Sequence, residues 1–259
     1  MSTLFDLTGK VAIITGSSRG IGRAIAERMA EHGAKVVVSS RKADACAEVA
    51  AGIIARGGEA LVQPCNIGRR EELQALVDAT LAKWGRIDIL VCNASINPFY
   101  GPSSEITDEV FDRVYNYNVR STFWLCNMAL PHMAAVGGGS VLVISSVGGL
   151  QGNDKLGAYA ISKAAEMQLV RNLAVEWGDR NIRANAIAPG LIRTDFAKAI
   201  WDNPESHARA TKTSPLGRIG EPDDIAGAAI FLCSAAGNFT TGQTLVCDGG
   251  RTIGGRVAG

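Results

Sequence analysis

The sequence predicts a doubly wound α/β fold in a single domain, about seven parallel strands flanked by helices on both faces. Three observations carry this. Short apolar runs alternate with amphipathic runs almost to the end of the 259 residues. The apolar runs are continuous rather than alternating, as strands buried on both faces are. A glycine cluster, Gly16, Gly20 and Gly22, stands between the first strand-like run and the first helix-like one.

In chain order, "KVAIIT" is strand-length and rich in β-branched residues, and "RAIAERMAEHG" is a helical pattern that stops at Gly33. The runs "KVVVSS", "EALVQPC" and "IDILVCN" repeat the first signal, with "REELQALVDATLAKWG" a second helix that stops at Gly85. Helical spacing of apolar positions then runs from Asp108 to Val136 and from Ala158 to Trp177, separated by the strand "SVLVIS". The strands "IRANAIAP" and "TLVCDG" follow. Between these two, "GLIRTDFAKAIWDNPESHARATKTSPLGRIGEP" breaks the rhythm. Ligands of such folds bind outside the carboxyl ends of the strands, so residues 191–220 are a candidate substrate lid. No repeat or linker divides the chain, and 1–259 reads as one domain.

Composition narrows the function. The formal net charge is +1 with cations scattered, which provides no footprint for nucleic acid or an anionic membrane. No run approaches the ~18 apolar residues of a membrane span, and "MSTLFDLTGK" lacks the pattern of a signal peptide. Cys46, Cys65, Cys92, Cys126, Cys233 and Cys247 are dispersed, mostly in apolar runs, and read as small buried hydrophobes. His32, His132 and His207 have no ligand-spaced partners, so no metal site is expected. The expectation is a cytoplasmic protein that takes a small molecule.

The turn "TGSSRGIG" has a physical reading. Glycines let the chain turn sharply and let backbone approach a pyrophosphate, while the helix start supplies free N–H groups and partial positive charge. The spacing, three residues and then one, is not that of the commoner dinucleotide fingerprint. This turn, the Asn-Ala pair in "VCNAS", a serine after the fifth long strand and the Tyr-x-x-x-Lys of "GAYAISKAAE" together resemble the short-chain dehydrogenase/reductase family. The resemblance spans Lys10 to Gly250 and implies a Rossmann-type fold. "SSRK", "INPFYG" and "APGLIRTDFAKAIW" are similar to its carbonyl and retinal reductase branch.

The resemblance implies a nicotinamide dinucleotide held by Gly16, Ser18, Arg19, Gly20, Ile21 and Gly22 at the pyrophosphate. Asn66 and Ile67 would lie at the adenine edge, where the family usually has aspartate in place of Asn66. Asn93 and Ala94 would line the adenosine ribose, and Pro189, Gly190, Ile192 and Thr194 the nicotinamide. The second strand ends beside the adenosine ribose, where an acidic residue selects NAD. Here Ser40 stands in that place, followed by Arg41 and Lys42. An arginine fork suits a 2′-phosphate, and Arg19 is placed to help, so NADP(H) is favoured over NAD(H).

Tyr159 and Lys163 are four apart on a helix and share a face. A phenol with an ordinary pKa of about 10 needs roughly 4 kcal/mol to reach about 7. One lysine charge at ~4 Å supplies about 1 kcal/mol in water and about 4 at an effective dielectric of ~20. Lys163 therefore suffices only in a partly dry cleft. Within the resemblance, Lys163 also holds the nicotinamide ribose. Ser146 rather than Ser145 orients the substrate oxygen, thirteen residues before the tyrosine, and Asn118 holds a water that links Lys163 to solvent. Phe99, Tyr100, Phe196 and Trp201 are candidates for an apolar substrate pocket.

The expected activity is interconversion of a ketone or aldehyde with its alcohol, Tyr159 acting as general acid and base. A 3-oxoacyl thioester reductase is the alternative within the family, and a silent dinucleotide-binding regulator the alternative outside enzymes. The resemblance implies a homo-oligomer, dimer or tetramer, built on the two long helices and the last strand region. The tail "GGRTIGGRVAG" reaches a neighbour or frays.

Overall fold

The computed structural model describes residues 3–254; the end of the glycine-rich tail lies outside them. Seven strands form one sheet in the order β3-β2-β1-β4-β5-β6-β7. They are β1 (Val11–Thr15), β2 (Lys35–Ser39), β3 (Glu59–Val62), β4 (Ile89–Cys92), β5 (Gly139–Ile144), β6 (Ile182–Pro189) and β7 (Thr244–Cys247). Every neighbouring pair is parallel. The order reverses between β1 and β4, which opens a crevice at their carboxyl ends.

The continuous apolar runs are explained by two cores. Ala12 and Ile14 of β1 face one cluster, while Ile13 between them faces the other. Helices α1 (Gly20–Glu31), α2 (Ala43–Ala55) and α9 (Pro222–Cys233) close the first face, through Ile25, Val49 and Ile225 among others. Helices α3 (Arg70–Trp84), α5 (Ser121–Ala135) and α6 (Gly157–Trp177) close the second, through Leu73, Leu125 and Val170.

The helix expected over 108–136 is interrupted. Helix α4 (Asp108–Tyr115) passes through a wide π-helical turn, Asn116–Arg120, before α5 begins. Such turns cluster at functional sites. Here the turn carries Asn118, whose amide pins the strand-end loop after β4, so the helix yields where the side chain is needed.

The segment 191–220 folds as two short helices, α7 (Lys198–Trp201) and α8 (Pro204–Thr213). Its ends are joined by a β-bridge between Ile192 and Gly220. Arg193 N donates to Gly220 O at 2.8 Å and Gly220 N to Leu191 O at 2.9 Å. The excursion is therefore a closed loop on a narrow base. No helix among the described residues is long and apolar enough to cross a membrane.

Candidate active site

A cleft of about 670 Å³ lies over the carboxyl ends of the sheet. Its floor begins at the glycine turn. Gly16 and Gly20 have φ of 67° and 56°, the left-handed region that favours glycine. Gly22 is required by contact: a Cβ there would lie 2.4 Å from both Asn93 Nδ2 and Gly16 O. Asn93 is the reason the turn holds its shape, since Nδ2 donates to Thr15 O at 2.9 Å and Gly16 O at 3.2 Å. Thr15 Oγ1 accepts from the backbone of Asn93 and Ala94 at 3.0 and 3.1 Å, which ties β1 to the loop after β4.

Most of the residues singled out from the sequence converge here. The cleft is lined by Gly16, Ser18, Arg19, Gly20, Ile21 and Gly22 from the turn, and by Ser40 and Arg41 after β2. Ile67, Asn93, Ala94, Ser146, Tyr159, Pro189, Gly190, Ile192 and Thr194 complete the set. Three do not line it: Asn66, Asn118 and Lys163. Asn66 Oδ1 turns to its own loop and accepts from Gly68 N at 3.2 Å. Of the proposed pocket aromatics, Phe196 lines the cleft, whereas Phe99, Tyr100 and Trp201 do not. The Trp201 indole instead donates to Thr194 O at 2.8 Å, a bond within the 191–220 segment. Ile96, Tyr117 and Asp195 also line the cleft and carry no sequence motif that marks them.

The left-handed glycines, the close approach at Gly22 and the crevice at the strand-order reversal fit a dinucleotide pyrophosphate on the start of α1. At the far end Arg41 and Lys42 are exposed on the rim, and among the described residues neither makes an ion pair. Arg19 Nη1 lies 3.5 Å from Asp195 across the cleft, with both side chains exposed, a pair that water screens.

The reacting end is built by β5 and α6. Ser145 and Ser146 follow β5 but face different ways. Ser145 Oγ donates to Lys163 O at 2.8 Å and locks α6 to the sheet. Ser146 accepts from Gly148 N at 3.0 Å and stands within hydrogen-bonding reach of the Tyr159 phenol. The two serines thus have different partners, Ser145 in the backbone of α6 and Ser146 in the turn that follows it. The Phe196 ring, from the 191–220 segment, lies 6.2 Å from the Tyr159 ring, centroid to centroid.

Asn118 is a brace. Its Oδ1 accepts from Ile96 N at 2.9 Å, and Nδ2 donates to Ile96 O at 3.1 Å and Ser162 Oγ at 3.0 Å. Ser162 Oγ in turn donates to Tyr159 O at 2.7 Å. Both N–H groups of the amide are engaged, so the side chain fixes the cleft-lining Ile96 and the start of α6.

Lys163 departs furthest from the sequence expectation. Its Nζ lies beneath the cleft, donating to Ile144 O at 3.1 Å and to both carboxylate oxygens of Glu166 at 3.0 Å. The ammonium is 5.5 Å from the Tyr159 ring centroid. Burial disfavours the ammonium, but Glu166 and Tyr159 more than compensate, so its pKa sits above the ordinary lysine value. Burial pushes the Glu166 carboxyl up to about 7 against the pull of Lys163. The Tyr159 phenol is also above its ordinary value: burial raises it, Lys163 lowers it, Glu166 raises it again and Ser146 lowers it. Burial is the largest of these effects, and the Glu166 carboxylate works against the lysine charge.

A seven-stranded parallel sheet with a glycine turn at its switch point, and a serine and tyrosine over the end of β5, define an oxidoreductase of the dinucleotide-binding class. Comparison with known proteins places it within that class. The family model described as "Enoyl-(Acyl carrier protein) reductase" matches residues 16–252. 7alpha-Hydroxysteroid dehydrogenase of Escherichia coli (strain K12) is 44% identical over 247 residues, covering 94% of each chain. Dehydrogenase/reductase SDR family member 4 of Homo sapiens is 40% identical over 244 residues, 94% of this chain and 88% of that protein. A structure of 7alpha-hydroxysteroid dehydrogenase with NADH and 7-oxo glycochenodeoxycholic acid superposes with a TM-score of 0.93 at 43% identity, covering 96% and 97% of the two chains. Gluconate 5-dehydrogenase from Burkholderia cenocepacia J2315, in complex with NADP and tartrate, reaches the same TM-score of 0.93 at 34% identity, over 97% and 98%. The chain belongs to the short-chain dehydrogenase/reductase family, enzymes that act on alcohols and ketones with a nicotinamide dinucleotide.

Proposed function

We propose that the protein is an NADP(H)-dependent reductase of ketones or aldehydes, in which Tyr159 protonates the carbonyl oxygen. The observation that carries this reading is the Tyr159 phenol in the cleft, with Ser146 in hydrogen-bonding reach and Phe196 over it. The dinucleotide, when bound, supplies the hydride. The chain supplies orientation and the proton: Ser146 donates to the carbonyl oxygen and holds it beside the phenol, and Tyr159 gives up its proton there. The polarising role is assigned to these two hydroxyls.

Cofactor choice rests on Ser40, Arg41 and Lys42 at the rim, and among the described residues the cleft lining contributed after β2 carries no carboxylate. Solved relatives carry NADH in one case and NADP in another, so the rim residues of this chain decide. Phe196 on the lid favours an apolar substrate face. The six free thiols suit a reducing cytoplasm.

The test is oxidation of NADPH and NADH with a panel of diketones, aldehydes and oxo-steroids, monitored by absorbance. NADPH turnover at least tenfold more efficient than NADH is the expected result; comparable efficiencies overturn the cofactor assignment. Tyr159→Phe is expected to lose nearly all turnover while NADPH still binds, and retained turnover overturns the role of the phenol.

A further inference from the structure

Trp201 does not line the cleft, yet it is tied to the residues that do. It ends α7, and its indole Nε1 donates to Thr194 O at 2.8 Å, seven residues back. The same carbonyl accepts from Ala197 N at 3.1 Å. Both lone pairs of Thr194 O are thus used, and residues 194–201 close into a ring. A tight helical turn, Asp195–Ala197, lies within that ring and carries Phe196 at its centre.

The ring is anchored from behind. The Arg193 guanidinium carbon lies 5.3 Å from the centroid of the Trp201 ring, close enough for a cation–π contact. Arg193 Nε donates to Glu221 Oε1 at 2.9 Å. Glu221 is the N-cap of α9: its side chain accepts from Asp224 N, and the Asp224 carboxylate accepts from Glu221 N at 2.8 Å. Helix α9 is itself fixed to the sheet through Ile225 and Ala226, both fully buried. A continuous path of contacts therefore runs from a core helix through Glu221, Arg193 and Trp201 to the turn that bears Phe196.

Phe196 needs such support. It lines the cleft beside the Tyr159 ring, yet it is 52% exposed and belongs to neither core. Its direction is therefore set by the backbone that carries it rather than by close packing. Binding loses affinity for each side chain and loop that must be ordered on the way, so an apolar contact is worth most when it is held in place beforehand. We propose that Trp201 is a positioning residue for substrate: its indole N–H clips residues 194–201 so that the Phe196 ring stands ready beside Tyr159 to receive the apolar face of a bulky ketone. The proposal rests on the reading of the cleft as a carbonyl-reducing site. Because Trp201 acts through Phe196, a ketone too small to reach that ring gains nothing from the clip.

Trp201→Phe tests this, since it keeps an aromatic ring beside Arg193 and removes the N–H. Trp201 belongs to neither core cluster, so the variant is expected to fold. Binding of benzil, a bulky aromatic diketone, and of diacetyl, its small counterpart, is measured by ligand-detected NMR titration of protein saturated with NADP+. That form has no hydride to give, so no turnover is needed. Trp201→Phe is expected to raise the Kd for benzil about fivefold, the scale of one lost hydrogen bond, and to leave that for diacetyl within about twofold. Phe196→Ala is expected to raise the benzil Kd about tenfold, and Trp201→Phe added to it to change nothing further, as two residues acting as one unit do. In turnover, the loss is expected in KM for benzil, with kcat within about twofold of wild type. A benzil Kd unchanged in either single variant overturns the proposal, as do effects that multiply in the double variant. An equal rise for diacetyl overturns it too, since that marks a general loosening of the segment, and so does a wild type that binds benzil no tighter than diacetyl. A failed catalytic assignment shows instead as turnover by Tyr159→Phe, or as benzil bound but never reduced, and leaves the Kd comparisons standing.

Discussion

At the residue scale, the four spacing-based positions Asn118, Ser146, Tyr159 and Lys163 fall within one neighbourhood, but only Ser146 and Tyr159 reach the cleft. Spacing encodes which helix face a side chain occupies; it does not encode which way a long side chain bends. Lys163 has four rotatable bonds and takes the direction its strongest acceptor dictates. That acceptor was visible as a charge in a helix apolar on more than one face, a combination that requires a buried partner. In the proposed cofactor assignment, Arg41 is the residue on which the choice turns. A charge-assisted bond from its guanidinium to a 2′-phosphate contributes ~1.5–3 kcal/mol. Arg41→Ala is therefore expected to raise the Kd for NADPH by roughly 10- to 100-fold, on the same scale of ~1.4 kcal/mol per decade. The Kd for NADH should stay within about twofold, as the lost bond has no counterpart there. Fluorescence titration with both nucleotides reads the difference, and parallel losses for the two would remove Arg41 from the selectivity argument.

At the element scale, the strands and their positions along the chain were legible because parallel strands buried on both faces leave uninterrupted apolar runs. The wide turn at Asn116–Arg120 was not, since its cause is a tertiary contact from Asn118 to Ile96 that no local pattern carries. The end of the sheet opposite the cleft shows a similar long-range clamp. Asp88, before β4, accepts from Val11 N at 3.0 Å and from Arg86 at 2.8 and 2.7 Å. Burial pushes the Asp88 carboxyl up, but Arg86, the Val11 N–H and Lys10 outweigh it and hold it below its ordinary value. A depressed carboxylate contributes stability that is present above the unfolded-state pKa of about 3.9 and lost as pH falls through the folded value. Asp88→Asn is expected to cost ~1–3 kcal/mol at neutral pH, the range for a buried charged acceptor deprived of its charge. The deficit should shrink in acid, where wild type loses the same carboxylate. Urea denaturation at fixed protein concentration at both pH values checks this; an equal deficit at both would mean the charge is not what clamps β1.

At the scale of the whole molecule, the cleft is complete within one chain, yet the surface carries apolar groups that one chain leaves in water. Phe123 on α5 is 51% exposed, and on α6 Ile161 is 51% and Val175 85% exposed. These helices pack on the same sheet face and present a second apolar side outward, the feature the sequence already hinted at in "AISKAAEMQLVRNLAVEW". At the other end β7 is an edge strand whose successive residues Leu245 and Val246 point to opposite faces, both exposed. An edge with apolar side chains on both faces and no guarding charge is a pairing surface unless something covers it. Two separate faces of this kind fit a tetramer of twofold pairs, one pair through α5 and α6 and one through β7. Each Phe or Val fully buried there contributes ~1.5–3 kcal/mol, and a charge in its place loses that and adds desolvation. Light scattering after size exclusion is expected to find four chains for wild type and two for Phe123→Glu. Leu245→Lys should likewise give two, and the combined variant one. The Tyr159 cleft is built within one chain, so the smaller species should still bind NADPH. A wild-type protein that elutes at the mass of one chain would reject both interfaces. Single variants that remain four-chain would reject the face each one alters.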